Sequence, residues 1–151
     1  MKKFKIIFLV LISLCVGILI GGYLFSKSQP RSFLAINRCE SCLTHADLLG
    51  LLASVGIQNF PGLMPFRVFE TDKTVVIKYP FSSDRIHYVL VPKKDIKNIG
   101  QISEANAQYL TDAFFVARWI IEREKLSKYS IYTNGPGSQD VTYLHFHLVA
   151  E

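Results

Sequence analysis

Two of the chain's four histidines, His145 and His147, stand in the stretch Gln139-Asp140-Val141-Thr142-Tyr143-Leu144-His145-Phe146-His147-Leu148. Neutral imidazole is a nucleophile near pH 7, so a histidine held beside anion-binding groups can attack phosphorus while neighbouring donors stabilise the charge developing on oxygen. The preceding loop, Thr133-Asn134-Gly135-Pro136-Gly137-Ser138, supplies two glycines and small polar side chains. Its backbone amides can cup an anion, which makes Asn134, Gly135, Gly137 and Ser138 candidate phosphate-binding residues. The chemistry indicated is phosphoryl or nucleotidyl transfer. The same His-x-His spacing on a strand also suits metal ligation, or two ordinary residues on an exposed sheet face.

The elements that must position these groups follow from periodicity. Apolar and polar residues alternate through Tyr143 to Leu148, which predicts a strand with Tyr143, His145 and His147 on one face and Leu144, Phe146 and Leu148 in a core. Upstream, Phe66 to Glu70 and Lys73 to Tyr79 predict a hairpin around Thr71-Asp72, and His87 to Pro92 a third strand. Ser103 is an N-cap for a long helix reaching about Leu126, with Leu110, Ala113, Phe114, Ala117, Ile120 and Ile121 on its core face and Trp119 packing at the edge. Tyr129 to Thr133 add a fourth strand. Ala46 to Val55 predict a short helix, with Gly56 as its stop, whose leucines Leu48, Leu49, Leu51 and Leu52 are expected to pack on the sheet, the alternatives being the membrane or a second subunit. The expected product is an α+β domain, a meander of about five antiparallel strands with helices on one side.

The histidine strand, with its Asn/Gly loop and Gln139, resembles the signature of the histidine triad (HIT) superfamily of nucleotide hydrolases and transferases. The segment His87-Tyr88-Val89-Leu90-Val91-Pro92-Lys93-Lys94-Asp95-Ile96 and the long helix after it extend the resemblance over about residues 66–150. It implies a HIT-like fold in which His145 matches the nucleophile that forms a nucleotidyl-imidazole intermediate. His147 then matches the phosphate-contacting third histidine, Gln139 a glutamine near the scissile bridge, and Asn134 a phosphate-side asparagine. The implied chemistry requires no cofactor, and the implied partner is a nucleotide or a nucleotide-linked small molecule. Tyr143 stands where the family has its first histidine. Asp140 stands where many members have a small hydroxyl residue, and its carboxylate would repel a bound phosphate unless turned away or paired. Tyr79 falls where the family's ribose-binding acid would be, and Asp84, five residues on, does not match in spacing. These departures sustain a second reading, a nucleotide-binding or assembly module that has lost turnover.

A third reading centres on Cys39 and Cys42. In zinc-bearing HIT members such a pair joins a histidine matching His87 and the first triad histidine. With Tyr143 in the latter place, His45 can substitute, so the zinc set implied is Cys39, Cys42, His45 and His87. A Cys39–Cys42 disulfide or redox pair in an oxidising compartment, and two unlinked thiols, are the alternatives.

Ile6 to Phe25 form an uncharged apolar run. At 1.5 Å per residue such a helix spans about 30 Å, the thickness of a bilayer core. It exceeds the apolar core of a secretory signal and no Ala-x-Ala follows, which predicts an uncleaved signal anchor. Residues 1–31 are thus read as anchor and linker and 32–151 as one HIT-like domain. Lys2, Lys3 and Lys5 before the span outweigh Lys27 and Arg31 after it, favouring a domain in the periplasm or exterior. The HIT-like CDP-diacylglycerol pyrophosphatases share that placement. The resemblance also implies a homodimer, to which Cys15 and Gly21-Gly22 could contribute within the bilayer. The net charge of +5 does not indicate a nucleic-acid partner, because much of the surplus lies beside the membrane, where lysines meet anionic headgroups. The lysines at 93, 94 and 97 are expected in a solvated turn.

Overall fold

Runs of β-branched and aromatic residues suit a pleated surface buried on both sides, and two of them build the middle of the sheet. In this computed structural model, which describes residues 2–29 and 44–151, they are β2 (Thr74–Lys78) and β3 (Ile86–Pro92). β1 (Arg67–Glu70) pairs with β2, and Thr71 closes the turn between them by accepting and donating within it. The Thr71 and Thr74 hydroxyls both donate to Asp112 Oδ2, at 2.5 and 2.6 Å, so one helix carboxylate fixes the hairpin to the helix above it.

The helix that carries Asp112 is α3 (Ala107–Arg123), preceded by a 3₁₀ turn in which Ser103 N–H donates to Asn106 Oδ1 at 2.8 Å. Ala113, Val116, Ala117 and Ile120 bury one stripe against Val76, Tyr88, Leu90, Leu144, Phe146 and Leu148. Trp119 sits at the edge, stacked on Phe69 with centroids 4.9 Å apart and with the Arg123 guanidinium over its ring.

After α3 come β4 (Ser130–Tyr132) and β5 (Phe146–Ala150), and all pairings are antiparallel. The strand order is β1-β2-β3-β5-β4, so the sheet is not the expected meander. α3 carries the chain across the sheet to the β4 edge, and β5 then returns into the gap beside β3. The histidine strand is therefore interior.

The helices also lie on both faces. Val75 and Val91 pack with Ile57 and Tyr143, while their neighbours Val76 and Leu90 face α3; successive strand residues point to opposite sides, which puts Ile57 and α3 on opposite faces. Ile57 belongs to α2 (His45–Asn59), whose N-cap is Thr44, accepting from Asp47 N–H at 3.1 Å. α2 continues through Gly56 because Ile57 extends its packed stripe of Gly50, Leu51 and Ser54, and it ends before Pro61. Of the four leucines expected against the sheet, only Leu51 is buried; Leu48, Leu49 and Leu52 are exposed.

The N-terminal helix α1 (Lys2–Phe25) is long and apolar enough over Lys5–Phe25 to cross a membrane, and none of that span is buried against the rest of the chain. The cysteine pair Cys39 and Cys42 lies outside the described residues.

Candidate functional site

β5 begins at Phe146, one residue later than a strand containing His145 would require, and Val141 to Tyr143 form bends. The bend carries the functional geometry. His145 Nδ1 lies 2.7 Å from the Tyr143 carbonyl oxygen. A carbonyl only accepts, so Nδ1 carries the proton and Nε2 is left with its lone pair, the tautomer a nucleophile needs. Tyr143 is itself buried, and its hydroxyl donates to the Pro92 carbonyl at 2.8 Å. It is a core residue of the α2 side, not a rung of an exposed polar ladder.

Register brings in the next histidine. β3 and β5 align Val89 with His147 and His87 with Val149, which puts both histidines on the sheet face opposite α3. His87 Nε2 and His147 Nδ1 are 2.9 Å apart, close enough to share one proton between two neutral rings. The His145 and His147 centroids are 5.0 Å apart. Aromatic rings frame the set: Tyr132, opposite His147 in β4, stacks on it at 4.8 Å and 14°, and Tyr79 lies 4.6 Å from His87.

Enclosure sets the charge. Burial, reinforced by repulsion from His145 and His87, pushes the His147 imidazole down to about 4. Burial also lowers His87, partly offset by Asp84, whose carboxylate oxygen is 3.8 Å from His87 Nδ1. His147 is thus neutral at pH 7 and can accept a proton from or donate one to a bound group. His147 Nε2 and His87 Nδ1 are buried with no hydrogen-bond partner among the described residues. Buried polar atoms are normally satisfied, so these two nitrogens are the unmet polar groups of the histidine cluster.

The loop is ordered differently from an open cup of amides. Gly137 has φ of +85°, a conformation that favours glycine, and Ser138 N–H closes the turn onto the Gly135 carbonyl at 3.1 Å. Asn134 and Gly135 are half-buried. Gln139 Nε2 donates to the Lys97 carbonyl at 3.1 Å, and Gln139 lines a cleft with Thr44, Asp47, Asn98 and Thr142. Asp140 is exposed. Of the implied zinc set, His45 is exposed at the start of α2, and His87 has Nε2 within hydrogen-bond distance of His147, leaving Nδ1 as its other ligating atom. Tyr132 was not legible as a site residue, because only the β4–β5 register places it over His147.

Residues 64–151 match the family described as scavenger mRNA decapping enzyme C-term binding. An uncharacterized HIT-like protein of Buchnera aphidicola subsp. Baizongia pistaciae is 27% identical over 93 residues, covering 58% of this chain and 83% of that protein. A HIT family hydrolase from Clostridium thermocellum superposes with a TM-score of 0.57 at 27% identity, over 64% of this chain and 89% of its own. A histidine triad nucleotide-binding protein from Candida albicans has the same fold, with a TM-score of 0.53 at 24% identity over 62% and 71% of the two chains.

Proposed function

Because this chain belongs to the scavenger mRNA decapping enzyme C-term binding family, within the HIT-like superfamily, we propose that it hydrolyses or transfers at a nucleoside phosphate, with His145 as nucleophile and α1 as a membrane anchor. The substrate class is a nucleoside phosphoramidate, a dinucleoside polyphosphate or a nucleotide-linked headgroup. The observation that carries this reading is the 2.7 Å contact from His145 Nδ1 to the Tyr143 carbonyl. It aims a lone pair from Nε2 and leaves a fixed acceptor for the charge that grows on the ring.

In the reaction, Nε2 of His145 bonds to the α-phosphorus as the bond to the leaving group breaks, and that group departs with its electron pair and takes a proton from solvent, which the attacking water later returns. Water then attacks the phospho-imidazole, releasing the nucleoside phosphate and restoring the neutral ring. His147 donates to a phosphate oxygen from Nε2–H, while its Nδ1 accepts from His87 Nε2–H, which holds the ring in place. Asn134 and the backbone N–H groups of Gly135 and Gly137 are the loop donors offered to the phosphate; Pro136 has none.

The test is product release from adenosine phosphoramidate, diadenosine polyphosphates and CDP-diacylglycerol by the full chain in neutral detergent, with His145→Ala beside it. Loss of turnover in the variant, together with a wild-type covalent adduct stable to alkali and labile to acid, supports the route. Unchanged turnover in preparations free of contaminating activity sinks it. The anchor is tested separately: the full chain should stay with membranes through alkaline carbonate extraction.

One observation favours a second reading, a nucleotide-binding module without turnover. The Gln139 amide group donates to Lys97 O, and Ser138 N–H is taken by the turn. Nucleotide that raises the unfolding midpoint with no product formed would support that module.

A further inference from the structure

The exit of α1 is not a free tether. Gln29 donates twice to Asp95, from its backbone N–H to Oδ2 and from its side-chain amide to the carbonyl, both at 2.7 Å. Ser28 Oγ lies 2.9 Å from Ser54 Oγ, Ser54 donates to Asp95 Oδ2 at 2.8 Å, and Asn59 Nδ2 donates to the Leu24 carbonyl at 3.3 Å. Asp95 is fully buried. Hydrogen bonds to a buried carboxylate are among the stronger ones. They fasten the segment after the apolar helix to α2 and to the turn after β3.

That turn carries Lys93 and Lys94, and the fastening brings them beside Lys27. Together with Ser26, Asp72 and Tyr109 these three lysines line a cleft of about 470 Å³. Lys93 is paired with Glu70 at 3.2 Å. Lys27 and Lys94 are exposed and have no ion pair among the described residues, so against Asp72 the cleft keeps a positive balance. Ser26 donates its hydroxyl to Tyr23 O and is not free to donate elsewhere; the Tyr109 hydroxyl has no hydrogen-bond partner among the described residues. Of the three lysines expected in a solvated turn, Lys93 and Lys94 thus form one wall of a basic cleft, while Lys97 lines the separate cleft of Gln139.

We propose that this cleft binds the phosphate of an anionic lipid headgroup, with Lys27 and Lys94 supplying the charge and Tyr109 a hydrogen bond. The proposal rests on α1 being a membrane anchor. A lipid is favoured over a free anion because Ser26 and Lys27 directly follow Phe25, where the apolar helix ends. The cleft then lies at the level of the headgroups, where lysines meet lipid phosphates. Such a contact fixes how the domain sits on the membrane.

The experiment offers the full chain, in neutral detergent, equal amounts of phosphatidylglycerol and phosphatidylcholine and reads retained lipid by native mass spectrometry. Preferential retention of phosphatidylglycerol is expected, falling about five-fold in Lys27→Gln and again in Lys94→Gln, and unchanged in Lys128→Gln. Equal retention of the two lipids, or a double variant that retains phosphatidylglycerol like the wild type, overturns the proposal. Displacement of the lipid by millimolar inorganic phosphate also overturns it, in favour of a soluble anion. Flotation on pure phosphatidylcholine vesicles keeps the failures apart. A chain that does not float refutes the anchor, whereas a chain that floats without the lipid preference refutes only the cleft.

Discussion

Tyr143 serves His145 through its backbone: the carbonyl oxygen of the first lies 2.7 Å from Nδ1 of the second, while the phenol points away to the Pro92 carbonyl. The side chain at position 143 is therefore separate from the hydrogen bond that His145, the proposed nucleophile, makes. That is why a tyrosine side chain at this position leaves the tautomer of His145 undisturbed.

Tyr143→Phe should accordingly leave turnover within about two-fold while lowering stability. Removing the hydroxyl leaves the buried Pro92 carbonyl without this donor, at a cost of about 1–3 kcal/mol. Thermal unfolding and steady-state rates on the same preparation check both halves. A large fall in kcat at unchanged stability would mean that the phenol itself reaches the substrate.

How much of this was legible before the structure depends on which residues are asked about. The alternation of Leu144, Phe146 and Leu148 announced a core face, and all three are buried against α3. The strands and the long helix likewise follow from local pattern. The partners of the histidines do not, because His87 and His147 are 60 residues apart and meet only through the insertion of β5 between β3 and β4. Strand order is a property of the whole chain, and the long-range pairings that fix it leave no local trace. The side taken by α2 was hidden for the same reason, since both sheet faces are apolar along β2 and β3.

Stability should fall as pH drops from about 6.5 to about 4. His147 is pushed down to about 4 in the folded chain from an ordinary value of 6.5, so between those values the unfolded chain binds a proton that the folded chain does not. Stability is then full above 6.5 and is lost progressively towards 4, and the lowered His87 acts in the same direction. In His147→Asn the slope of the unfolding midpoint against pH should be shallower over that window. Parallel slopes for variant and wild type would show that His147 titrates alike in both states.

Tyr132→Ala should raise the pKa of His147. The tyrosine ring covers the imidazole at 4.8 Å, and burial is the largest cause of the depression. Admitting water stabilises the charged form and moves the group back towards 6.5. Imidazole proton shifts followed by NMR across pH 3.5 to 7.5 report this directly. No movement would assign the depression to the neighbouring histidines instead.

Two glycines of α2 should respond oppositely to alanine. A Cβ at Gly50 would come within 2.8 Å of the Thr142 carbonyl oxygen, on backbone that cannot yield locally, since Thr142 N–H donates to the Ala46 carbonyl at 3.1 Å. Among the described residues a Cβ at Gly56 would meet only the Met64 sulfur, at 3.2 Å, on a flexible side chain. Alanine gains up to about 1 kcal/mol over glycine inside a helix, but overpacking against backbone costs about 1–3 kcal/mol. Gly56→Ala should therefore be neutral or stabilising, and Gly50→Ala destabilising. The two should also differ in activity. Thr142 precedes the residue whose carbonyl holds His145, so separating α2 from that bend misplaces the proposed nucleophile, and an offset of about 1 Å can cost a hundred-fold in rate. A Gly50→Ala protein as active and as stable as Gly56→Ala would mean that α2 only covers the sheet and takes no part in positioning His145.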